Sequence, residues 1–178
     1  DDFEDASKGA FSSNKFSVDY EVWLPEDIDI SLENRFGDIY LADLTGLVDI
    51  ELAHGDLRGN RIEKRLDLKH SFGKCDFEFV NEAELSLRAV ELEIDESRKL
   101  SFESSSSEIE LDRINMVQID SRNDKFYIQS IDNLQGKGSF TDLNVEEIYQ
   151  NVRLDFSYGD IYFRRIGQNF DLVSIVGK

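Results

Sequence analysis

An apolar residue recurs every 17 or 18 residues along this chain, and few sequence features restrict a fold so tightly. With Ile39 as the marker, the series continues through Leu57, Cys75, Leu92, Ile109, Phe126, Leu143 and Ile161. Nine residues ahead of each marker runs a second series: Ile30, Val48, Leu66, Ala83, Leu100, Val117, Leu134, Val152, with Phe170 opening one more turn. Each of these has a partner two residues on, as in Leu32, Ile50 and Leu68 for the second series or Leu41, Phe77 and Ile94 for the markers. Five residues after the markers comes a further column: Leu44, Ile62, Val80, Ser97, Ile114, Ile131, Ile148 and Ile166.

Apolar pairs spaced by two mark short strands with one buried face. A repeat this short leaves no room for a strand plus a crossover helix of a dozen residues. Coiling remains, with like positions stacked about 4.8 Å apart. One such unit cannot bury its own apolar face, so the coils must stack. The expected fold is all-β: a single-domain, right-handed parallel β-helix, or solenoid, of about eight coils of 17–18 residues. Two rival solenoids fail. A left-handed hexapeptide helix would place Asp38, Asp56 and Lys74 in its core. A calcium-binding nonapeptide roll needs paired glycines in a Gly-Gly-x-Gly-x-Asp turn, which the chain lacks.

The chain has 178 residues, enough for one domain that buries roughly 70% of its unfolded surface. Before the repeat, Phe16, Val18, Tyr20, Val22 and Leu24 alternate with polar residues and Trp23, then Pro25 intervenes. That pattern predicts one amphipathic strand capping the first coil, because an open solenoid end exposes core and unpaired backbone. Residues 1–15 are polar and are expected to be loosely attached. The organisation is thus residues 1–28 as N-terminal segment and capping strand, then 29–178 as β-helix repeats. After Phe170 and Leu172 the last turn lacks its marker strand. The expectation is a piece of a longer protein, or a homo-oligomer paired through the C-terminal open end.

The formal charge of −18 speaks against nucleic acid and against anionic membrane surfaces. No apolar run approaches the ~20 residues of a membrane span, so no membrane insertion is expected. Cys75 is the only cysteine and falls in an inward position, as a small core residue.

The segment Tyr20-Glu21-Val22-Trp23-Leu24-Pro25, followed by Ile30-x-Leu32-x-Asn34-x-Phe36-Gly37-Asp38-Ile39, resembles the domain-of-unknown-function group numbered 4097 (DUF4097). The repeated Gly-Asp-Ile or Gly-Asp-Leu at 37–39, 55–57 and 159–161 adds to the likeness, which covers nearly everything after residue 16. That group comprises adhesin-like β-strand-repeat proteins of Bacteroidetes-type bacteria. The resemblance implies a β-helix and an extracytoplasmic location, in the periplasm or at the cell surface. It offers no catalytic residues. Val90, Ser107, Asp124 and Thr141 depart from its glycine habit.

Two further columns bear on chemistry. One follows the glycine position: Asp38, Asp56, Lys74, Glu91, Glu108, Lys125, Asp142 and Asp160. Stacked acids repel; Lys74 and Lys125 offset this, which reads as a solvated ladder. Asp38, Asp56, Asp142 and Asp160 are the candidate ligands for a hard cation such as calcium. The other column is Phe36, His54, Phe72, Ala89, Ser106, Asn123, Phe140, Tyr158 and Val176. Large aromatics usually turn inward or into a corner. Exposed, Phe36, Phe72, Phe140 and Tyr158 would form a ligand surface for sugar or protein. His54 and His70 lie in adjacent coils but in different columns, without a third ligand.

No nucleophile, histidine and acid grouping stands out, and no phosphate-cradling loop. Every turn is 17 or 18 residues long, so there are no excursions from which a cleft could be built. The expected function is a non-catalytic, exported scaffold or binding surface for glycan or protein, with no cofactor. The alternative is a carbohydrate-active enzyme of the β-helix kind, a polysaccharide lyase or hydrolase.

Overall fold

The computed structural model describes residues 20–167 and the backbone of 169–176. Their strands, in chain order, are β1 (Ile30–Asn34), β2 (Ile39–Leu41), β3 (Leu47–Leu52), β4 (Leu57–Ser105) and β5 (Glu108–Arg122), then β6 (Lys125–Ser139), β7 (Asp142–Ser157), β8 (Ile161–Ile166) and β9 (Asn169–Val176). All belong to one sheet, and the pairings between them are parallel. The registers follow the sequence repeat: Ile30 beside Val48, Ile39 beside Leu57, Leu92 beside Ile109, Ile109 beside Phe126 and Leu143 beside Ile161. The molecule is a single-domain β-solenoid of about eight turns. At 49 residues, β4 runs through nearly three coils, bending at Phe72 and Ala89, whose φ angles are 62° and 52°. The step lengthens again between Ile131 and Asn133, where the register shifts.

The core is the stack of inward columns. The markers from Leu57 to Leu143 are buried, as are Val48 to Val152 in the second series. Leu32 and Ile166 occupy inward columns yet are 39% and 42% exposed. The reason is position, since β1 and β8 each pair on one side only among the described residues. Coils also exchange volume: a Cβ on Gly59 would come within 2.6 Å of the Phe77 ring, and one on Gly138 within 2.7 Å of Phe156. Each phenylalanine fills the room that the glycine in the preceding coil leaves.

One inward column has no apolar signature. It lies four residues beyond the second series and reads Asn34, Leu52, His70, Leu87, Ser104, Ser121, Gly138 and Phe156. Leu52, His70, Leu87, Ser104, Ser121 and Phe156 are all buried.

Next to it the chain turns a corner. In the first two coils the left-handed residue is glycine (Gly37 φ 112°, Gly55 φ 148°). From the third coil on it is the residue before: Phe72, Ala89, Ser106, Asn123, Phe140 and Tyr158, with φ between 52° and 62°. The position that follows turns inward. There a Cβ on Gly73 would sit 2.0 Å from the Gly55 carbonyl oxygen. In the 17-residue coils Val90, Ser107, Asp124 and Thr141 take that place and are buried. Ser107 Oγ accepts the Val90 amide at 3.2 Å, and Asp124 Oδ1 accepts the Ser107 amide at 2.7 Å. Thr141 Oγ1 in turn accepts the Asp124 amide at 3.4 Å. A ladder of side-chain oxygens thus serves backbone donors that a dry corner would otherwise strand.

The capping-strand expectation fails in its described part. Tyr20–Leu24 form no strand, and their side chains are exposed. The segment that meets the first coil is shorter: Glu26 O accepts the Thr45 amide at 2.7 Å, and Asp29 Oδ1 accepts that of Leu47 at 2.7 Å. One backbone bond and one side chain-to-backbone bond just after Pro25 thus stand where a strand ladder is expected. Residues 16–19 of that strand and the loosely attached tract 1–15 lie outside the described residues. So do the side chains of Phe170, Leu172 and Val176 and the final Gly177-Lys178, on which the expectation about the C-terminal end depends.

Candidate functional site

The surface is built from outward columns, each side chain flanked by its equivalents in the coils before and after. In the glycine-following column, Asp38 Oδ1 accepts the Asp56 amide at 2.9 Å and Asp56 Oδ1 that of Lys74 at 3.0 Å. At the other end Asp142 Oδ1 accepts the Asp160 amide at 3.0 Å. Lys74 Nζ bonds Glu91 at 2.8 Å. The column therefore caps backbone donors just past the corner, an N-cap-like use of aspartate in a sheet. Asp38 and Asp56 are far along the chain from Asp142 and Asp160 and form two separate pairs. Among the described residues no group of three or more His, Cys, Asp or Glu side chains could hold a metal ion.

The aromatic column lies at the corner but not inside it, which overturns the inward reading. Phe36 is 76% exposed, and Phe72, Phe140 and Tyr158 are exposed as well. Left-handed backbone at Phe72, Phe140 and Tyr158 hands the inward position to the next residue and turns the ring out. Phe36, His54 and Phe72 form one stack, with centroids 5.3 and 5.0 Å apart and planes within 6° and 11° of parallel. The Arg88 guanidinium carbon lies 6.0 Å from the Phe72 ring centre. Phe140 and Tyr158 stack at 5.2 Å. Stacked rings cover one another's inner faces, so only the outer faces of the end rings stay open. A sugar stacks on a free ring face, and this column offers few of them.

The histidines part company. His54 is in the exposed stack, whereas His70 is 1% exposed inside the rod. His70 Nε2–H donates to the Gly55 carbonyl at 3.0 Å, which leaves Nδ1 to accept from Cys75 Sγ at 2.8 Å. Burial lowers the His70 pKa and raises that of Cys75. The thiol is therefore a protonated donor and not a nucleophile. Asp124, 2% exposed, is also pushed up by burial, against the bonds it accepts from the Ser107 amide, Ser104 Oγ and the Arg122 amide.

On a sheet face of the middle coils, Glu93 faces Asp76, Glu110, Asp95 and Asp112. Burial first, then those like charges, raises its pKa. Next to this face a shallow groove of about 620 Å³ runs across β5 to β8, between Tyr127 and Tyr149. Asn144 lies in it, paired with Tyr127 on one side and Tyr162 on the other. Asn144 Oδ1 is shielded from solvent and has no hydrogen-bond partner. The groove's arginines are engaged: Arg164 with Glu146 at 2.8 Å, and Arg113 with Glu96. Its tyrosines gave no sequence signal, because they fall in outward columns that are otherwise charged or amide-bearing.

No helix among the described residues is long and apolar enough to cross a membrane. Comparison of the chain with protein-family models, curated proteins and solved structures finds no match in any of the three.

Proposed function

We propose that the chain is an exported, non-catalytic β-solenoid, adhesin-like in the sense of the DUF4097 group its repeat resembles. It acts in the periplasm or at the cell surface as a scaffold or binding surface for glycan or protein. One observation carries this reading. Among the described residues paired strands are offset by 17 to 19 residues, so no described coil carries an excursion from which a catalytic cleft could be built. Outward side chains form flat ladders, and a flat ladder recognises by area and repeated contact. The chemistry of the candidate groups agrees: Asp38, Asp56 and Asp142 are engaged with backbone donors, and Cys75 is a buried, protonated thiol. The charge of −18 disfavours nucleic acid and anionic lipid as partners.

The test has two arms, both with the intact chain. A glycan array and a pull-down from cell-surface extract should yield a saturable ligand. Incubation with polysaccharides should release no new reducing or unsaturated ends; steady release would overturn the proposal in favour of an enzyme.

A further inference from the structure

We infer that the groove lined by Tyr127, Asn144 and Tyr149, continued by Tyr162, which stands on the next rung just outside that lining, binds a neutral, extended oligosaccharide. The inference rests on the binding-surface reading above and gives it a place and a ligand class. The register sets the spacing. Tyr127 pairs with Asn144 and Asn144 with Tyr162, so the two rings stand two rungs apart on one column. Two sheet spacings are about 10 Å, close to the two-residue repeat of an extended β-linked glycan, in which alternate sugars offer the same face. The shorter Asn144 leaves a dip between the rings where the intervening sugar fits.

Three further observations narrow the ligand. Tyr127 is 41% and Tyr162 57% exposed, and among the described residues neither stacks on another ring, unlike Phe36, His54 and Phe72. No aromatic ring covers their faces, and the exposed part of each ring can meet sugar C–H groups. Asn144 Oδ1 is an unmet acceptor in the groove, and unmet buried acceptors are rare enough in folded proteins to call for a donor. A sugar hydroxyl supplies one after a small rotation of the amide. The charge excludes acidic glycans. Glu110, Asp112, Glu146 and Glu147 line the groove, while its cations Arg113 and Arg164 are held by Glu96 and Glu146.

The experiment titrates the intact chain with linear β-1,4-linked hexasaccharides of glucose, mannose and N-acetylglucosamine, and with oligogalacturonate as the anionic control. Binding is followed by calorimetry and by resonance shifts of the tyrosine rings. At least one neutral hexasaccharide should bind saturably and shift Tyr127 and Tyr162. Tyr127→Ala or Tyr162→Ala should each weaken it about tenfold, Tyr162→Phe should restore it, and Phe36→Ala should leave it unchanged. These side chains face outward, and matching melting curves will show that the variants fold. Binding that survives loss of both rings, preference for oligogalacturonate, or no binding of any neutral hexasaccharide overturns the groove. If the array or pull-down then finds a ligand elsewhere, a peptide included, the broader reading stands without it. Polysaccharide turnover would instead defeat the broader reading.

Discussion

His70 Nδ1 lies 2.8 Å from Cys75 Sγ in the interior of the solenoid, in a column where the coils before and after place Leu52 and Leu87. A histidine is held there as the neutral tautomer, its second nitrogen on the Gly55 carbonyl. Burial lowers its folded-state pKa below 6.5, partly opposed by that bond and by the charge of Asp56. A depressed pKa means that the unfolded chain takes up the proton first. The stability His70 contributes is complete above pH 6.5 and is lost as pH falls below it, by at most about 1.4 kcal/mol per pH unit.

The first prediction follows from that sign. Lowering pH from 7.5 to 5.5 should destabilise the parent relative to His70→Leu, which restores the residue type of the neighbouring coils. The comparison must be a difference, because partial neutralisation of a chain of charge −18 acts in the opposite direction. Urea midpoints at both pH values measure it. An identical pH response in the two proteins would mean that His70 is not buried neutral.

Ser97 supplies the second prediction. It replaces an aliphatic residue in the column of Leu44, Ile62, Val80, Ile114 and Ile131, is 3% exposed, and its hydroxyl has no partner. Ser97→Val removes an unsatisfied buried hydroxyl and adds apolar contact. It should stabilise by about 1–2 kcal/mol. A lowered denaturation midpoint would show that the hydroxyl is satisfied or that the site cannot take the added methyl.

These two residues also show how far the sequence could be read. The two-spaced apolar columns were legible because pairs such as Ile109 and Leu111 or Ile128 and Phe126 keep one chemistry from coil to coil, and all four are buried. The column of His70 was not, because its members are satisfied locally by different means. His70 has Cys75, Ser121 Oγ shares a hydrogen with Thr141 Oγ1 at 2.8 Å, and Gly138 makes room for Phe156. The aromatic column was legible, but its direction was not. Left-handed backbone at phenylalanine and tyrosine is uncommon, and it turned Phe72, Phe140 and Tyr158 outward. The groove at Tyr127 and Asn144 left no periodic trace, since it depends on which unlike residues the register sets side by side.

The corner gives a paired prediction. Ala89 holds φ at 52°, which costs a non-glycine residue roughly 1–2 kcal/mol. Ala89→Gly should relieve part of this and stabilise by about 0.5–1 kcal/mol after the entropy of the freer unfolded chain. One coil earlier the opposite change is harmful: a Cβ on Gly73 meets the Gly55 oxygen at 2.0 Å. Gly73→Ala should cost more than about 3 kcal/mol, read as a large drop in melting temperature. Equal and small effects at both sites would refute the corner geometry.

The last prediction concerns the aspartates that end the corners. Asp56 Oδ1 accepts the Lys74 amide at 3.0 Å while Asp56's own amide donates to Asp38 at 2.9 Å, so the carboxylates continue a hydrogen-bonded ladder from coil to coil. The acceptor matters here and the charge matters little, because the column is outward and Lys74 already pairs with Glu91. Asp56→Asn keeps an oxygen in place and should change stability by no more than a few tenths of a kcal/mol, whereas Asp56→Ala removes it and should cost about 1 kcal/mol. If the column were instead a calcium site, the order would invert in the presence of the ion: asparagine would lose most of the stabilisation that calcium confers. Melting curves of parent and both variants, in EDTA and in millimolar calcium, separate the two cases. The ladder requires that the parent curves nearly coincide, and a large saturable calcium shift that Asp56→Asn abolishes would overturn it.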